Sequence, residues 1–208
     1  MSVAIVNYGM GNLRSVFNAV QAIGGTPVLV DRPEDLADAD RIILPGVGAF
    51  GEAMKRLHAR GFVPALERAV LHDGRPFLGI CLGMQLLATR GFEHGENAGL
   101  GWITGEVRAL EPACDLRVPH MGWNAIAVQT QVPLLTDLPA QPAFYFVHSF
   151  HFVTEDPAAA VAVADYGGPV TSVVAKDHIF GTQFHPEKSH KVGLALLKNF
   201  LAYQRAAC

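Results

Sequence analysis

The chain has 208 residues, half of them hydrophobic and 17% charged, with a formal net charge of −3. That is apolar material for one substantial core, expected as a single domain over residues 1–208, and the lack of a broad basic field excludes a nucleic-acid partner. Cys81, Cys114 and Cys208 are too few and wrongly spaced for a disulfide framework or a metal site, no basic region precedes the first apolar stretch, and no apolar run nears the roughly 18 residues of a membrane helix. A cytoplasmic setting with no membrane contact is the expectation.

In chain order, Val3 to Tyr8 reads as a buried strand, and a helix starts near Asn12 with Leu13, Val16, Phe17, Val20 and Ile23 on one face, ended by Gly24 and Gly25. Gly9-Met10-Gly11 lacks the third glycine of a dinucleotide fingerprint, because Arg14 stands there, so no nicotinamide or flavin cofactor is expected. Strands follow at Pro27 to Val30 and Arg41 to Leu44. The loop Pro45-Gly46-Val47-Gly48 is small enough for backbone N–H groups to approach a bound atom, which suits one donor of an oxyanion hole. Helices are predicted around Phe50 to Ala59 and Val63 to His72, then a strand over Pro76 to Ile80 and a helix over Leu82 to Ala88.

From Trp102 to Phe152 the pattern changes to short strand-like pieces, among them Arg117-Val118-Pro119 and Phe144 to Val147, so antiparallel or mixed sheet is expected there. His148 and His151, read as one strand, would face opposite ways and hold no metal. Val170 to Ala175 and Ile179 to Phe184 flank a Lys176-Asp177-His178 turn as a hairpin, and Lys191 to Tyr203 closes as an amphipathic helix. Alternating strands and helices predict an α/β fold, an open, mostly parallel sheet flanked by helices with an added antiparallel or mixed region. In such a sheet the loops after Tyr8, Leu44 and Ile80 share one edge, where ligands bind.

Cys81 occupies that edge at a strand-to-helix corner. Gly79 and Gly83 remove the side chains that would collide in so sharp a turn, the steric logic of a nucleophile elbow. A helix N-terminus there favours the thiolate. Downstream, His185-Pro186-Glu187 is expected to be extended, with positions 185 and 187 on one side, so that Glu187 orients the imidazole of His185. Nucleophile, base and orienting carboxylate follow the roles of a Ser-His-Asp triad. The Leu82 N–H supplies the second oxyanion donor beside Gly46, Val47 and Gly48, and Gln85, one turn into the helix, still faces the cysteine.

Gly79-Ile80-Cys81-Leu82-Gly83-Met84-Gln85 and His185-Pro186-Glu187 resemble the two signatures of the class I (triad-type) glutamine amidotransferases. The segments Asn7 to Asn12, Pro45 to Phe50, Pro119 to Asn124, Tyr145 to Phe150 and Phe184 to Ser189 narrow the resemblance to the glutaminase subunits of imidazole glycerol phosphate synthase, in histidine biosynthesis, over nearly the whole chain. The resemblance implies hydrolysis of L-glutamine through a Cys81 thioester, with Gln85, Ser149 and Phe150 holding the substrate. It also implies a heterodimer in which ammonia passes to a separate cyclase subunit built as a (β/α)₈ barrel, acting on a phosphorylated ribulosyl carboxamide nucleotide. Met10, Asn12, Trp123, Asn124, Tyr145 and Lys188 are the implied docking residues. Three alternatives stay open: the glutaminase of another ammonia-dependent synthase (anthranilate, pyridoxal phosphate or GMP synthesis), a γ-glutamyl hydrolase-type cysteine hydrolase, and a regulatory subunit with a dead site. No role is expected of Cys114 or Cys208.

Overall fold

Val3 and Ile5 point to one face of a central strand and Ala4 and Val6 to the other, and all four are buried, so apolar layers must cover both faces of the sheet. The computed structural model describes residues 1–113 and 116–205; Cys114 and Cys208 lie outside the described residues. Its first half alternates β1 (Ser2–Val6), α1 (Leu13–Ala22), β2 (Thr26–Val30), β3 (Arg41–Gly46), α2 (Phe50–Ala59), α3 (Phe62–Glu67), β4 (Phe77–Cys81) and α4 (Leu82–Gln85). The second half is mainly strand: β5 (Arg90–Gly91), β6 (Asn97–Ala98), β7 (Gly105–Ala109), β8 (His120–Val128), β9 (Ala143–His148), β10 (Phe150–Thr154), β11 (Ala160–Asp165), β12 (Pro169–Lys176) and β13 (Ile179–Thr182), closed by α5 (His190–Ala202).

Nine strands form the main sheet in the order β2-β1-β3-β4-β13-β12-β11-β8-β9, and a smaller sheet runs β10-β7-β5-β6. The stretch from β2 to β13 is parallel, and each later neighbour is antiparallel. This is the mixed α/β architecture expected from the sequence, and the β12–β13 hairpin turns at Asp177 as read. On one face, α1 and α5 bury Val16, Val20, Leu196, Leu197 and Phe200; on the other, α2, α3 and the small sheet bury Phe50, Leu57, Phe62, Val107 and Phe152. No helix among the described residues is long and apolar enough to cross a membrane.

Three local readings differ from the structure. The helix over Val63 to His72 gives way after Glu67 to a wider π turn over Arg68–His72, in which the Asp73 N–H reaches back to the Arg68 carbonyl. Arg117-Val118-Pro119 is no strand: Pro119 has no N–H for a ladder, and the ladder begins only at His120. The helix after Cys81 stops at Gln85 rather than Ala88. The N–H groups of Leu87 and Ala88 reach the carbonyls of Met84 and Gln85, only three residues back, and the Thr89 N–H leaves the turn for the Gly105 carbonyl, while the carbonyls of Leu86, Leu87 and Ala88 accept from Leu100, Trp102 and Gly101.

Close approach at the Cys81 corner depends on missing side chains. A Cβ at Gly83 would collide with the Leu44 carbonyl oxygen, and one at Gly79 with the Gly83 carbonyl. Because the obstacle at Gly83 is strand backbone, Gly83→Ala should cost about 3 kcal/mol and lower the Tm by roughly 6–12 °C. Calorimetry of the variant checks this, and an unchanged Tm would show that the corner relaxes without strain.

Candidate active site

The end of β4 turns into α4 through Cys81 itself, whose backbone sits at φ 55° and ψ −109°, a region costly for any residue with a Cβ. The turn lifts the side chain out of the strand towards the carboxyl edge of the sheet. Cys81 is 7% exposed, and its thiol lies 4.0 Å from the Val147 carbonyl and receives the side-chain N–H of Gln183 at 3.7 Å. With α4 only one turn long, the helix dipole is weaker than the sequence suggested, and Gln183 supplies a discrete donor to the sulfur.

His185 and Glu187 meet as predicted, by a different backbone route. Pro186 starts a 3₁₀ turn over Pro186–Lys188, so the segment is not extended; the fixed proline φ suits the first position of a helical turn. Within that turn His185 Nδ1 donates to Glu187 Oε1 at 2.8 Å, both side chains almost wholly buried. The turn is docked onto β9: the His185 N–H donates to the Tyr145 carbonyl at 2.9 Å, and Ser189 Oγ donates to the His185 carbonyl at 2.6 Å while accepting the Tyr145 N–H at 3.0 Å. With its Nδ1–H committed to Glu187, His185 keeps Nε2 as the nitrogen that can exchange a proton at the cavity; Nε2 is buried and has no hydrogen-bond partner. Burial opposes charge on this imidazole, but interaction with the Cys81 sulfur and the Glu187 carboxylate outweighs it and raises the pKa to about 9.

These groups open into a cavity of about 440 Å³ lined by Val47, Gly48, Leu82, Gln85, Ser149 and Phe150, among others. Of the four proposed oxyanion donors, Gly46 is not in this lining. It is the last residue of β3, and a Cβ there would come within 2.6 Å of the Tyr8 hydroxyl and 2.9 Å of Leu82 Cβ, so its size serves packing. Gln85 lines the cavity, yet its NH₂ group is committed to the protein, donating to the Phe150 carbonyl at 2.8 Å and to Gln183 Oε1 at 3.1 Å. Only its carbonyl oxygen remains for a ligand. His148 and His151 sit on β9 and β10, in different sheets, rather than along one strand.

The sequence reading gives no role to Glu93 or Gln183 and weighs His148 only as a metal ligand. Glu93 is the one acidic side chain lining the cavity among the described residues, held by the Phe50 N–H at 2.8 Å. It lies in an unpatterned loop and carried no sequence signal. Gln183 stood two residues before His185, which places it on the same side of an extended segment, and that spacing was the available clue.

The implied docking residues divide. Met10 packs against Gly48, and Asn12 caps α1 by accepting the Ser15 N–H. Trp123 is 49% exposed and stacks on His190 at 5.0 Å, while Lys188 lies 5.8 Å over the Tyr145 ring. Asn124 turns inward, its NH₂ donating to His120 Nε2 at 3.2 Å and to the Asp165 carbonyl at 2.9 Å, and offers a partner little. Val47, Val118 and Met121 are further exposed apolar residues, Val47 lining the cavity, Met121 paired with its wall residue Val147, and Val118 next to Pro119 of the lining.

Comparison with known proteins places this arrangement among relatives. The family described as glutamine amidotransferase class-I matches residues 4–203. A protein of Rhodopseudomonas palustris named imidazole glycerol phosphate synthase subunit HisH is 50% identical, with the match covering 98% of this chain and all of the relative. A protein of the same name from Zymomonas mobilis is 51% identical over 96% of this chain and 95% of its own. Among solved structures, PurLQS from Thermotoga maritima superposes with a TM-score of 0.75 at 20% identity, covering 97% of this chain and 98% of that one. A glutamine amidotransferase from the same organism superposes with a TM-score of 0.69 at 17% identity, covering 97% of this chain and 96% of that one. At such identities the structures speak for the fold alone.

Because the folded pKa of His185 lies above its ordinary value of 6.5, the charged imidazole adds stability in full below about pH 6.5 and loses it as the pH rises through about 9. An NMR titration of His185 should therefore show a midpoint near 9, displaced downward in Glu187→Gln. The Tm advantage of the wild type over that variant should be larger at pH 6.5 than well above pH 9. A midpoint at or below 6.5 contradicts the charge arrangement described.

Proposed function

Since the chain belongs to the class I glutamine amidotransferase family, we propose that it is the glutaminase subunit of an imidazole glycerol phosphate synthase, releasing ammonia from L-glutamine for a separate cyclase subunit in histidine biosynthesis. The relatives named for that role, half identical over nearly the full length of both chains, support the assignment. The observation that carries the chemistry is the pairing of Cys81, raised at its corner, with the buried His185–Glu187 dyad in one cavity.

His185 Nε2 takes the Cys81 proton, and the thiolate attacks the side-chain carbonyl carbon of glutamine. The oxyanion is received by backbone N–H groups of Val47, Gly48 and Leu82, at a point where one such donor is typically worth about 10² to 10³ in rate. As the tetrahedral intermediate collapses, the carbon–nitrogen bond breaks and His185 gives its proton to the departing nitrogen, leaving a glutamyl thioester on Cys81. Water, deprotonated by the same Nε2, attacks the thioester, glutamate leaves, and the thiolate–imidazolium pair returns. Glu187 keeps the imidazole in the tautomer that exposes Nε2 and supports its charge.

The α-ammonium of glutamine needs an anionic partner, and Glu93 is the carboxylate the cavity offers; the Gln85 carbonyl oxygen and the Ser149–Phe150 segment complete the grip. Free ammonia is mostly protonated in neutral water and then no nucleophile, so the product needs a dry path to its acceptor. Trp123, Met121, Val118 and Val47 form the exposed apolar surface that suits a partner, the cyclase as a (β/α)₈ barrel, in a heterodimer.

Ammonia release from glutamine should be stimulated by the cyclase subunit together with its nucleotide ligand, and Cys81→Ala should reduce it to background under every condition. Stimulation absent with both present would sink the specific assignment and leave the family standing. Glu93→Gln should raise KM for glutamine roughly ten- to a hundredfold, the worth of a hydrogen bond to a charged group, with kcat little changed. An unaltered KM would remove Glu93 from the binding site.

A further inference from the structure

Two histidines that the triad does not use stand in line, His148 in the cavity wall and His120 behind it. His148 Nδ1 lies 2.8 Å from the Phe150 carbonyl, His148 Nε2 lies 3.0 Å from His120 Nδ1, and His120 Nε2 lies 3.2 Å from the Asn124 amide nitrogen. Carbonyl oxygens only accept, so His148 must carry its proton on Nδ1 and present Nε2 as an acceptor. His120 must then donate from Nδ1 and accept at Nε2. Asn124 satisfies that acceptor with one amide hydrogen and gives the other to the Asp165 carbonyl at 2.9 Å, which fixes which end of its side chain is nitrogen.

Each ring is also held in orientation. His120 is sandwiched between Phe146, at a centroid distance of 4.6 Å, and Tyr166, at 4.0 Å, both nearly parallel to it. Burial keeps the pair neutral, lowering His120 to about 4 and His148 to about 3, and for His148 the neighbouring His120, His151 and His185 oppose charge further.

The chain converges on the Phe150 carbonyl, which also accepts from Gln85. Gln85 in turn donates to Gln183, and Gln183 donates to the Cys81 sulfur. We propose that His120 and His148 are positioning residues: as neutral Nδ1–H tautomers they form a one-directional hydrogen-bond chain from Asn124 to the Phe150 carbonyl, and thereby hold the Gln85–Gln183 amide pair against Cys81. Without the His148 donor, the Phe150 carbonyl is free to shift, Gln85 loses its anchor, and the amide of the fully buried Gln183 is no longer aimed at the sulfur. The inference rests on Cys81 being the glutaminase nucleophile.

Two measurements test it on the complex of both subunits. Nitrogen-15 NMR of the histidine-labelled wild type at pH 7 should find both His120 and His148 in the Nδ1–H form; an Nε2–H tautomer or an imidazolium at either position overturns the proposal. This readout needs no activity and no variant. In kinetics, His120→Leu, which removes the donor to His148 at a site outside the cavity lining, should lower kcat about tenfold, the worth of one hydrogen bond, with KM for glutamine within roughly twofold. His120→Gln, which retains an amide N–H donor, should recover most of the loss. A folded His120→Leu protein at the wild-type rate, or equal losses in the two variants, overturns the proposal. If instead Cys81→Ala keeps its glutaminase activity, the nucleophile assignment itself fails, which no result at His120 would mimic.

Discussion

The backbone of Cys81 is the constraint on which the site depends. A residue with a side chain is held at positive φ between a buried strand and a single helical turn, at a cost on the order of 1–3 kcal/mol. Packing around it makes the strain sustainable: β3 lies against β4 in register up to Gly46 and Cys81, and Gly79 and Gly83 let strand, corner and helix close to backbone contact. Without that closeness the thiol would settle back into the strand, one more small apolar group in the core. The same contacts put Pro45–Gly48 beside the sulfur, so one packing arrangement sets both the proposed nucleophile and the loop proposed to receive the oxyanion.

Histidines show how far environment decides chemistry here. His185 and His148 are both buried and both edge the same cavity, yet their acidities move in opposite directions. His185 has a carboxylate on one nitrogen and a sulfur facing the other, and the gain from charge exceeds the loss of solvation. His148 has only a carbonyl and a second neutral imidazole, so desolvation wins. A cavity with one chargeable histidine and one locked neutral separates proton transfer from hydrogen-bond support, two tasks that a pair of similar imidazoles would confuse.

Topology explains why these groups meet at all. The loops after β1, β3 and β4 emerge on one edge because the strands are parallel, and β13, parallel to β4, brings Gln183 and His185 to that edge from the far end of the chain. The antiparallel extension through β8 and β9 then raises a wall beside the cavity. Its inner residues carry the histidine chain and its outer ones, Met121 and Trp123, the exposed apolar surface. A period of two along one strand thus assigns alternate residues to the interior network and to the proposed docking face.

Local rules made much of this legible in the sequence. The bounds of α2, the hairpin at Asp177, the closing helix and the pairing of His185 with Glu187 follow from apolar period, turn residues and short-range spacing, all of which act within a few positions. Tertiary structure decided the rest. The helix after Cys81 tightens to three-residue turns past Gln85 and the chain then leaves it, the Thr89 N–H going to Gly105 on another strand, and Gly46 serves packing because Tyr8 arrives from another strand. Glu93 and the His120–His148 chain owe their places to strand order, which no spacing along the chain encodes. Asn124, a docking residue by the family resemblance, is drawn inward by the carbonyl of Asp165 and the ring of His120. Covalent neighbours dictate period and propensity. Which donor finds which acceptor across strands is settled only when burial removes water as the competing partner.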